Sequence, residues 1–275
     1  RESFMVAPIT ALSWANQAPN LKGFSEFCWT FLPKDRAPYP GERFYCPQQA
    51  ETLEDIAATK GESFYRGPLA ERIALASRSD GGAMTEEDLA AHKSDWVDPI
   101  SVEYRGYRLH EIPPNGQGIA ALVALGILRH HDVASLAADS ADSLHLQIEA
   151  MKLAFADAWR NVADPAAMEV TPAQMLDDAY LAERAKSIDM KRASSPAPGI
   201  PKGGGTVYLT AADERGMMLS FIQSNYMGFG SGVVVPGTGI SLQNRGASFV
   251  LKRGHPNEVG PRTRPYQTII PGFLT

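Results

Sequence analysis

The chain has 275 residues, of which 44% are hydrophobic and 21% charged, and its formal net charge is −5. These values are typical of a globular protein with a substantial core, and the length suits one large domain or two ordinary ones. The sequence has no block of basic residues, and no apolar run reaches the roughly 20 residues that span a bilayer. We therefore expect neither nucleic acid nor a membrane as a partner.

The two cysteines, Cys28 and Cys46, do not have the spacing of a metal site. They could form one disulfide, but two unpaired thiols are the simpler expectation. No other cluster of histidine, cysteine and acidic residues has ligand spacing, so we expect no metal or other cofactor.

Helices dominate the prediction for the N-terminal part of the chain. Apolar residues recur there at helical spacing, and the run Thr85-Glu-Glu-Asp is typical of a capping box. The predicted elements are short helical turns within residues 1–30, a proline-rich loop from Pro33 to Pro47, helices at 48–59 and 68–79, and a short helix that ends at His92.

A hairpin and a glycine-rich turn are predicted in the middle of the chain. Residues 102–112 alternate about Gly106, which suits the turn between two strands. The run Pro113-Pro-Asn-Gly-Gln-Gly then precedes an apolar helix at 119–128. Glycines ahead of a helix leave backbone N–H groups free to hold an anion. Two interpretations remain open, the lining of a pocket or a tight turn from strand to helix.

The longest predicted helix begins near Ser140 and ends near Val162, before Asp164-Pro165. Apolar side chains at helical spacing are expected to face the core, and the charged side chains between them to face solvent. The apolar stripe consists of Leu144, Ile148, Met151 and Phe155, and the charged residues outside it are Glu149, Lys152 and Arg160. A further helix is predicted at 172–188, followed by an exposed linker at 194–201.

Three glycines, Gly203 to Gly205, lead directly into Thr206, which opens an alternating run typical of a strand. Glycine adopts backbone angles that other residues cannot, so the Gly205 carbonyl could be presented in a tight turn beside the Thr206 hydroxyl. Attack of that hydroxyl, followed by hydrolysis of the ester, would leave Thr206 as a new N-terminus. A threonine activated by an N-terminal amine is a known nucleophile. The alternative is a glycine-rich loop that feeds an ordinary hairpin.

Several motifs follow one another in the order of a known family. They are Phe31-Leu-Pro-Lys-Asp-Arg-Ala-Pro, Thr85-Glu-Glu-Asp-Leu-Ala-Ala, Tyr104-Arg-Gly-Tyr, Pro113-Pro-Asn-Gly-Gln-Gly-Ile, Glu149-Ala-Met-Lys-Leu-Ala-Phe-Ala-Asp, and the run from Thr206 to Phe249. Together they resemble the γ-glutamyltranspeptidase family of N-terminal nucleophile hydrolases. Within the last run, Gly228-Phe-Gly-Ser-Gly-Val-Val-Val-Pro-Gly-Thr-Gly and Leu242-Gln-Asn-Arg-Gly resemble the branch that includes oxamate amidohydrolase.

The resemblance implies an α+β fold, a four-layer αββα sandwich in which Thr206 begins a central strand. Members of the family continue in both directions, so the chain is expected to be cut at both ends. Residues 1–205 would be the C-terminal part of the large-subunit region, which is mainly helical. Residues 206–275 would be the start of the small-subunit region, which begins with the nucleophile strand. Autocleavage would then separate Gly205 from Thr206.

Several positions keep the family pattern. Thr206 takes the place of the nucleophilic threonine, and Ser224 stands where the family has a threonine that hydrogen-bonds the nucleophile. Gly230 and Asn244 match residues of the substrate pocket. Asn115, in the glycine-rich turn, is expected to line that pocket as well.

Other positions depart from the pattern. Tyr226 replaces an asparagine that contacts the substrate, Arg245 replaces a glutamine, and Ser248 replaces the aspartate that holds the α-amino group of glutamate. Losing that carboxylate removes the charged partner of an ammonium group, an interaction worth roughly 1.5–3 kcal/mol. Arg245, together with Arg264, could instead bind a substrate carboxylate through a guanidinium fork. The alternative is that both are surface arginines.

These positions predict a self-processing amidohydrolase or acyltransferase that forms a threonine acyl-enzyme. Its substrate would be a small carboxylate-bearing or γ-glutamyl amide, and hydrolysis is preferred over transpeptidation. In the family, part of the oxyanion hole comes from a glycine pair downstream of residue 275. The two cleavage products are expected to associate, and could form a homodimer of heterodimers. The competing hypothesis is a non-catalytic relative that binds a small carboxylate. The compartment stays open, with the cytoplasm slightly preferred over the periplasm.

Overall fold

The computed structural model describes residues 1–195 and 206–275. The chain divides into two compact units, a first unit of Arg1–Asp95 and Met227–Asn244 and a second unit of Trp96–Tyr226 and Arg245–Thr275. The α-helices of the described residues are α1 (Pro8–Leu21), α2 (Ser25–Phe31), α3 (Pro47–Ala58), α4 (Glu62–Arg66), α5 (Pro68–Ser79), α6 (Glu86–Ala91), α7 (Gly118–Leu128), α8 (Ala141–Asn161), α9 (Pro172–Met175) and α10 (Asp178–Ala185).

The strands of the described residues form small antiparallel sheets. Within the first unit β1 pairs with β2 and β7 with β8; within the second unit β4 pairs with both β3 and β9, and β5 pairs with β6. The strands are β1 (Phe4–Met5), β2 (Arg43–Phe44), β3 (Ile100–Tyr104), β4 (Tyr107–Glu111), β5 (Thr206–Ala212), β6 (Met218–Ser224), β7 (Val234–Val235), β8 (Ile240–Ser241) and β9 (Phe273–Leu274). Helices and strands occur together, which is compatible with the predicted α+β class.

An aromatic cluster forms much of the core of the first unit. The ring of Phe229 lies 5.0 Å from the rings of Phe27 and Phe31 on α2 and 5.3 Å from that of Trp14 on α1. The backbone N–H of Phe229 also donates to Gln17 Oε1 at 3.2 Å. Aromatic pairs in edge-to-face or tilted contact stabilise a core beyond their buried area. The cluster therefore fixes the 227–244 segment against the two N-terminal helices.

Helix α7 lies at the centre of the second unit. Its side chains are apolar on every side, and almost all of them are buried, as expected for a helix that is hydrophobic all round. It packs against α8, α10 and the β3–β4 hairpin. A side chain at Gly126 would lie 2.5 Å from Leu181 Cδ1 of α10, so glycine permits the close approach of these two helices.

The buried face of α8 is only partly the predicted one, because Met151 and Phe155 of the predicted stripe are half-buried against the core. Leu144 and Ile148 are 46% and 56% exposed, whereas Glu149 is only 1% exposed. The buried face carries a second stripe at helical spacing, in which half of the side chains are alanine or serine. A helix with two such stripes does not reveal from its sequence which one meets its neighbour. The buried residues are Ser143, Leu146, Glu149, Ala150, Leu153, Ala154, Asp157 and Ala158.

The predictions that rest on short local motifs agree with the structure. The Thr85 side chain accepts from the Asp88 backbone N–H at 3.2 Å, and Thr85 N–H donates to the Asp88 carboxylate at 2.9 Å, which confirms the capping box. The β3–β4 turn has positive φ at Arg105 and Gly106, 53° and 83°, a conformation that suits a two-residue hairpin. Thr206 lies in strand β5, in agreement with the strand predicted there.

Two helical predictions were wrong in detail. Residues 1–30 contain the 14-residue helix α1, whose Pro8 lies in the first turn, where a missing N–H costs nothing, and whose Pro19 lies in the last turn. The single helix predicted at 172–188 is two helices, because the Asp177 side chain accepts from Tyr180 N–H and begins α10 anew. No helix in the described parts of the chain is both long and apolar enough to cross a bilayer.

Candidate active site

Thr206 and Ser224 lie directly opposite each other in the β5–β6 ladder. Opposite residues of an antiparallel pair project their side chains from the same face of the sheet. The Thr206 hydroxyl donates to Ser224 Oγ at 3.0 Å. Thr206 is thereby joined to the last residue of the neighbouring strand, and Thr206 is exposed there.

Ser224 also binds the backbone of the residue two positions further on. The Tyr226 N–H donates to Ser224 Oγ at 2.9 Å, and Tyr226 has a φ of 76°. An aromatic residue in this left-handed region is uncommon, and the Ser224 hydroxyl is one of the contacts that hold it there. The Tyr226 side chain is 4% exposed. A threonine hydroxyl, a serine hydroxyl and a constrained backbone turn thus follow one another within the second unit.

Arg245 is the largest fully buried side chain in the described residues, at 2% exposure. Its guanidinium lies over the Tyr226 ring, 4.3 Å from the ring centroid, and its NH1 donates to Thr268 Oγ1. Nε has no hydrogen-bond partner, and no carboxylate of the described residues pairs with the guanidinium. Burial lowers the pKa of Arg245 from its ordinary value, while Tyr226 opposes the change. Arg245 is therefore not a surface arginine.

Ser248 lies at the other end of the same short 3-10 helix, Arg245–Ser248. Its hydroxyl is buried and has no hydrogen-bond partner within the described residues, while its carbonyl accepts from Asn257 Nδ2 at 2.6 Å. Buried polar groups are normally satisfied. The unsatisfied groups at Arg245 and Ser248 could therefore bind an anionic or polar ligand.

Asn115 contacts the segment that carries Thr268. Its Nδ2 donates to the Pro265 carbonyl at 2.6 Å, and its own carbonyl accepts from Gln267 N–H at 2.9 Å. These two hydrogen bonds hold the glycine-rich turn against the segment that leads into Thr268. Thr268 was not among the predicted site residues, because only the tertiary structure brings its hydroxyl to Arg245.

Gly230 and Asn244 belong to the first unit. Asn244 Oδ1 accepts from Met227 N–H at 3.1 Å, which links the two ends of the 227–244 segment. Gly230 has a φ of 73°, and a Cβ there would lie 2.3 Å from the Leu242 carbonyl oxygen. Both residues determine the conformation of this segment.

The remaining site predictions have different outcomes. Gly205 lies outside the described residues. The Arg264 backbone N–H donates to Asp164 Oδ2 at 2.8 Å, in the second unit. Cys28 and Cys46 are free thiols. Within residues 1–195 and 206–275, no group of three or more histidine, cysteine and acidic side chains could hold a metal ion.

Comparison with known proteins gives a consistent family. The model of the gamma-glutamyltranspeptidase family matches residues 1–275. The chain is 38% identical over 244 residues to the glutathione hydrolase-like YwrD proenzyme of Bacillus subtilis, and 40% identical over 249 residues to the oxamate amidohydrolase proenzyme of Klebsiella pneumoniae. These alignments cover 89% and 90% of this chain but 46% of each relative, so the chain spans about half the length of the curated relatives it matches.

Solved structures agree with this result. The cephalosporin acylase of Bacillus halodurans is 49% identical, with a TM-score of 0.91 over 100% of this chain and 51% of that one. The gamma-glutamyltranspeptidase of Pseudomonas nitroreducens, solved with L-DON, is 29% identical, with a TM-score of 0.65 over 71% of this chain and 58% of that one.

Proposed function

This chain belongs to the gamma-glutamyltranspeptidase family, and from this membership we propose that it is part of a self-processing amidohydrolase with Thr206 as the nucleophile. The observation that carries the proposal is the 3.0 Å hydrogen bond from Thr206 Oγ1, in strand β5, to Ser224 Oγ. Three glycines precede Thr206 in the sequence. The names of the relatives, several of which are proenzymes, support a cleaved precursor.

Self-cleavage would proceed through an ester. Thr206 Oγ attacks the Gly205 carbonyl carbon and its proton passes to the departing nitrogen, so that the peptide C–N bond breaks and an ester to Thr206 forms. Water then hydrolyses the ester, which gives a carboxylate at Gly205 and a free α-amine at Thr206. In this scheme Ser224 orients the attacking hydroxyl by accepting its hydrogen bond.

Turnover would use the new N-terminus as its own base. The α-amine of Thr206 takes the hydroxyl proton while Oγ attacks the substrate amide. The proton passes to the leaving amine, an acyl-enzyme remains on Oγ, and water releases the acid. Backbone N–H donors aimed at the developing oxyanion would each contribute roughly 2.7–4 kcal/mol.

We assign Arg245 to the carboxylate of the substrate. A buried guanidinium without a carboxylate partner is costly, and a substrate carboxylate would compensate that cost through charged hydrogen bonds. Ser248 provides a hydroxyl and no negative charge, so a substrate without an ammonium group is preferred. The best candidate is a small carboxylate-bearing amide, of which oxamate, named in one relative, is the simplest. Hydrolysis is preferred over transfer to an amine.

The complete protein would have the four-layer αββα arrangement of N-terminal nucleophile hydrolases. Residues 1–205 would belong to one cleavage product and residues 206–275 to the other, and the products would stay associated. A homodimer of such heterodimers is the assembly we favour.

The second candidate is a non-catalytic relative that binds a small carboxylate. The same buried Arg245 favours it, because the guanidinium can bind an anion whether or not Thr206 reacts. The two candidates differ in whether the chain is cut before Thr206.

The first experiment is intact-mass measurement and N-terminal sequencing of the full-length protein, alongside Thr206→Ala and Thr206→Ser. The proposal predicts a product that begins with Thr206 in the wild type, slower cutting in Thr206→Ser, and neither cutting nor turnover in Thr206→Ala. Cutting at the same bond in Thr206→Ala would contradict the mechanism. An uncut wild-type chain that binds oxamate would favour the binding protein.

A second experiment tests the substrate assignment. Oxamate, a γ-glutamyl amide and an acylated cephalosporin are compared with wild type, Arg245→Lys and Arg245→Met. Losing a charged hydrogen bond of about 1.5–3 kcal/mol should raise KM for oxamate about 10- to 100-fold in Arg245→Met, with a smaller effect in Arg245→Lys. Equal KM values in all three proteins would disprove the role of Arg245.

A further inference from the structure

Glu149 is a buried carboxylate that the proposed turnover does not use. It lies on α8 and is 1% exposed. Its Oε1 accepts from Lys152 Nζ at 2.7 Å, one turn further along the helix. Its Oε2 accepts from both the backbone N–H, at 3.0 Å, and the hydroxyl of Ser194. The carboxylate thus joins α8 to a residue 45 positions later in the chain.

Every polar group of Ser194 is bound by this pair. Glu149 accepts from its N–H and its hydroxyl, and Lys152 Nζ donates to its carbonyl. Burial would raise the pKa of Glu149, but the bonds from Lys152 and Ser194 lower it to about 2. The carboxylate is therefore charged at neutral pH, and hydrogen bonds to a charged group are stronger than those between neutral groups.

The contact with Ser194 matters because Ser194 lies shortly before Thr206 in the chain. Ser194 precedes Thr206 by twelve residues, and it belongs to the piece that self-cleavage would release from Thr206. We propose that Glu149 and Lys152 anchor Ser194 and so position the chain for attack at the Gly205–Thr206 bond. This inference rests on the self-cleavage proposed above and adds two positioning residues to it.

The physical reason is the geometry of an intramolecular attack. The reacting atoms must be held within about 3–3.5 Å, and misplacement by about 1 Å can cost 10²-fold in rate. Holding one end of a chain segment limits the positions that its other end can take, so a fixed point at Ser194 narrows the conformations that compete with the reactive one. After cleavage Ser194 and Thr206 are no longer joined by a covalent chain. The anchor therefore acts on cutting and not on turnover.

The first test measures the rate of precursor cutting in the full-length protein. Glu149→Gln keeps the shape of the side chain but removes its charge, and Lys152→Met removes the cation. We expect each to slow the appearance of the Thr206 product by tenfold or more. Purified precursor is incubated and sampled by denaturing gel and intact mass, with thermal unfolding recorded for each variant.

The matched control is Asp157→Asn. Asp157 is a mostly buried carboxylate on the same helix, and it accepts from Arg184 Nε at 3.0 Å. Ser194 is not among the described residues that Asp157 binds, so losing this ion pair disturbs α8 without releasing the anchor. Cutting should keep its wild-type rate in Asp157→Asn. Equal slowing in Asp157→Asn and Glu149→Gln would show a general effect of the helix and would overturn the proposal.

The second test bypasses self-cleavage. Residues 202–205 are replaced by the factor Xa recognition sequence Ile-Glu-Gly-Arg, so that the protease generates the Thr206 N-terminus in both wild type and Glu149→Gln. Cut by the protease, the two proteins should have the same kcat and KM. A tenfold lower kcat in the Glu149→Gln protein would assign Glu149 to the mature site or the fold, and would overturn the anchor.

The two tests also separate this inference from the proposed function. If wild type itself stays uncut and the protease-cut protein hydrolyses no amide, the proposed function fails. If wild type cuts itself and Glu149→Gln cuts at the same rate, only the anchor fails.

Discussion

At the scale of single residues, Tyr226 connects backbone conformation with the chemistry of the site. Its φ of 76° is a conformation that costs an aromatic residue about 1–2 kcal/mol. Such strain persists where surrounding contacts determine it, and here the Ser224 hydroxyl and the guanidinium of Arg245 supply those contacts. Tyr226 thus contacts both Ser224, which binds the proposed nucleophile, and Arg245, the proposed carboxylate-binding cation.

Glu111 is a second residue whose environment is unusual. It ends β4, is 4% exposed, and its Oε2 has no hydrogen-bond partner within the described residues. A Cβ at Gly118, the first residue of α7, would lie 2.4 Å from that oxygen. Burial raises the pKa of Glu111 from 4.5 to about 7. The protonated form is therefore the one that the fold accommodates.

This pKa predicts how stability depends on pH. As pH rises from about 4.5 to about 7, the unfolded chain ionises at Glu111 while the folded chain does not, so the free energy of unfolding falls. The pKa difference of Glu111 corresponds to a loss of roughly 3 kcal/mol in the free energy of unfolding. Above about pH 7 this contribution no longer changes with pH. Glu111→Gln should remove this slope, as measured by urea unfolding between pH 4.5 and pH 8.

The matched control is Glu149→Gln. The pKa of Glu149 is lowered to about 2, so its contribution to stability is present above pH 4.5 and lost only at lower pH. The slope between pH 4.5 and pH 8 should therefore survive in Glu149→Gln. A slope in Glu111→Gln as steep as in wild type would show that another group causes it.

At the scale of elements, the contact between α7 and α10 depends on one missing side chain. A Cβ at Gly126 would lie 2.5 Å from Leu181 Cδ1, and Leu181 is fully buried. Alanine favours a helix over glycine by up to about 1 kcal/mol, but overpacking a core costs about 1–3 kcal/mol. Packing is therefore expected to decide the outcome.

Gly126→Ala should lower the free energy of unfolding by about 1 kcal/mol. In a Leu181→Ala background, which itself should cost about 2–5 kcal/mol, the same change should be neutral or stabilising, because the added methyl enters the space left by leucine. A double-mutant cycle by urea unfolding measures this coupling. Additive effects of the two changes would mean that α7 and α10 adjust without strain.

At the scale of the whole molecule, each compact unit contains residues from before and after Thr206. In the first unit Phe229 packs among the rings of α1 and α2; in the second, β9 pairs with β4. The predicted division at 205/206 concerns where the chain is cut, and it stays a prediction. If the cut occurs, contacts inside both units remain to hold the pieces together.

The two cleavage products should therefore stay associated. Full-length cut protein is expected to elute in gel filtration at the volume of the uncut Thr206→Ala protein, and to separate into two pieces only in denaturant. Elution of two separate pieces in native buffer would show that the contacts within the units do not suffice.

Local chemistry was determined by the sequence itself. The Thr85 capping box, the turn at Gly106 and the strand that contains Thr206 depend on neighbours within a few residues, so their patterns predicted them. Motif order indicated the family in the same way, because motifs need only the sequence. The sequence also showed that Arg245 and Ser248 depart from the family pattern. It did not show that the Arg245 side chain and the Ser248 hydroxyl are buried.

Only the tertiary structure decided which groups are buried and which distant residues meet. It buried Glu149, which its helix pattern placed in solvent, and joined it to Ser194. It brought Arg245 to Thr268, and it tied Asn115 to Pro265 across 150 positions. The physical reason is that burial and hydrogen bonding depend on what packs against a residue, and packing partners far apart in the chain leave no periodic signal in the sequence.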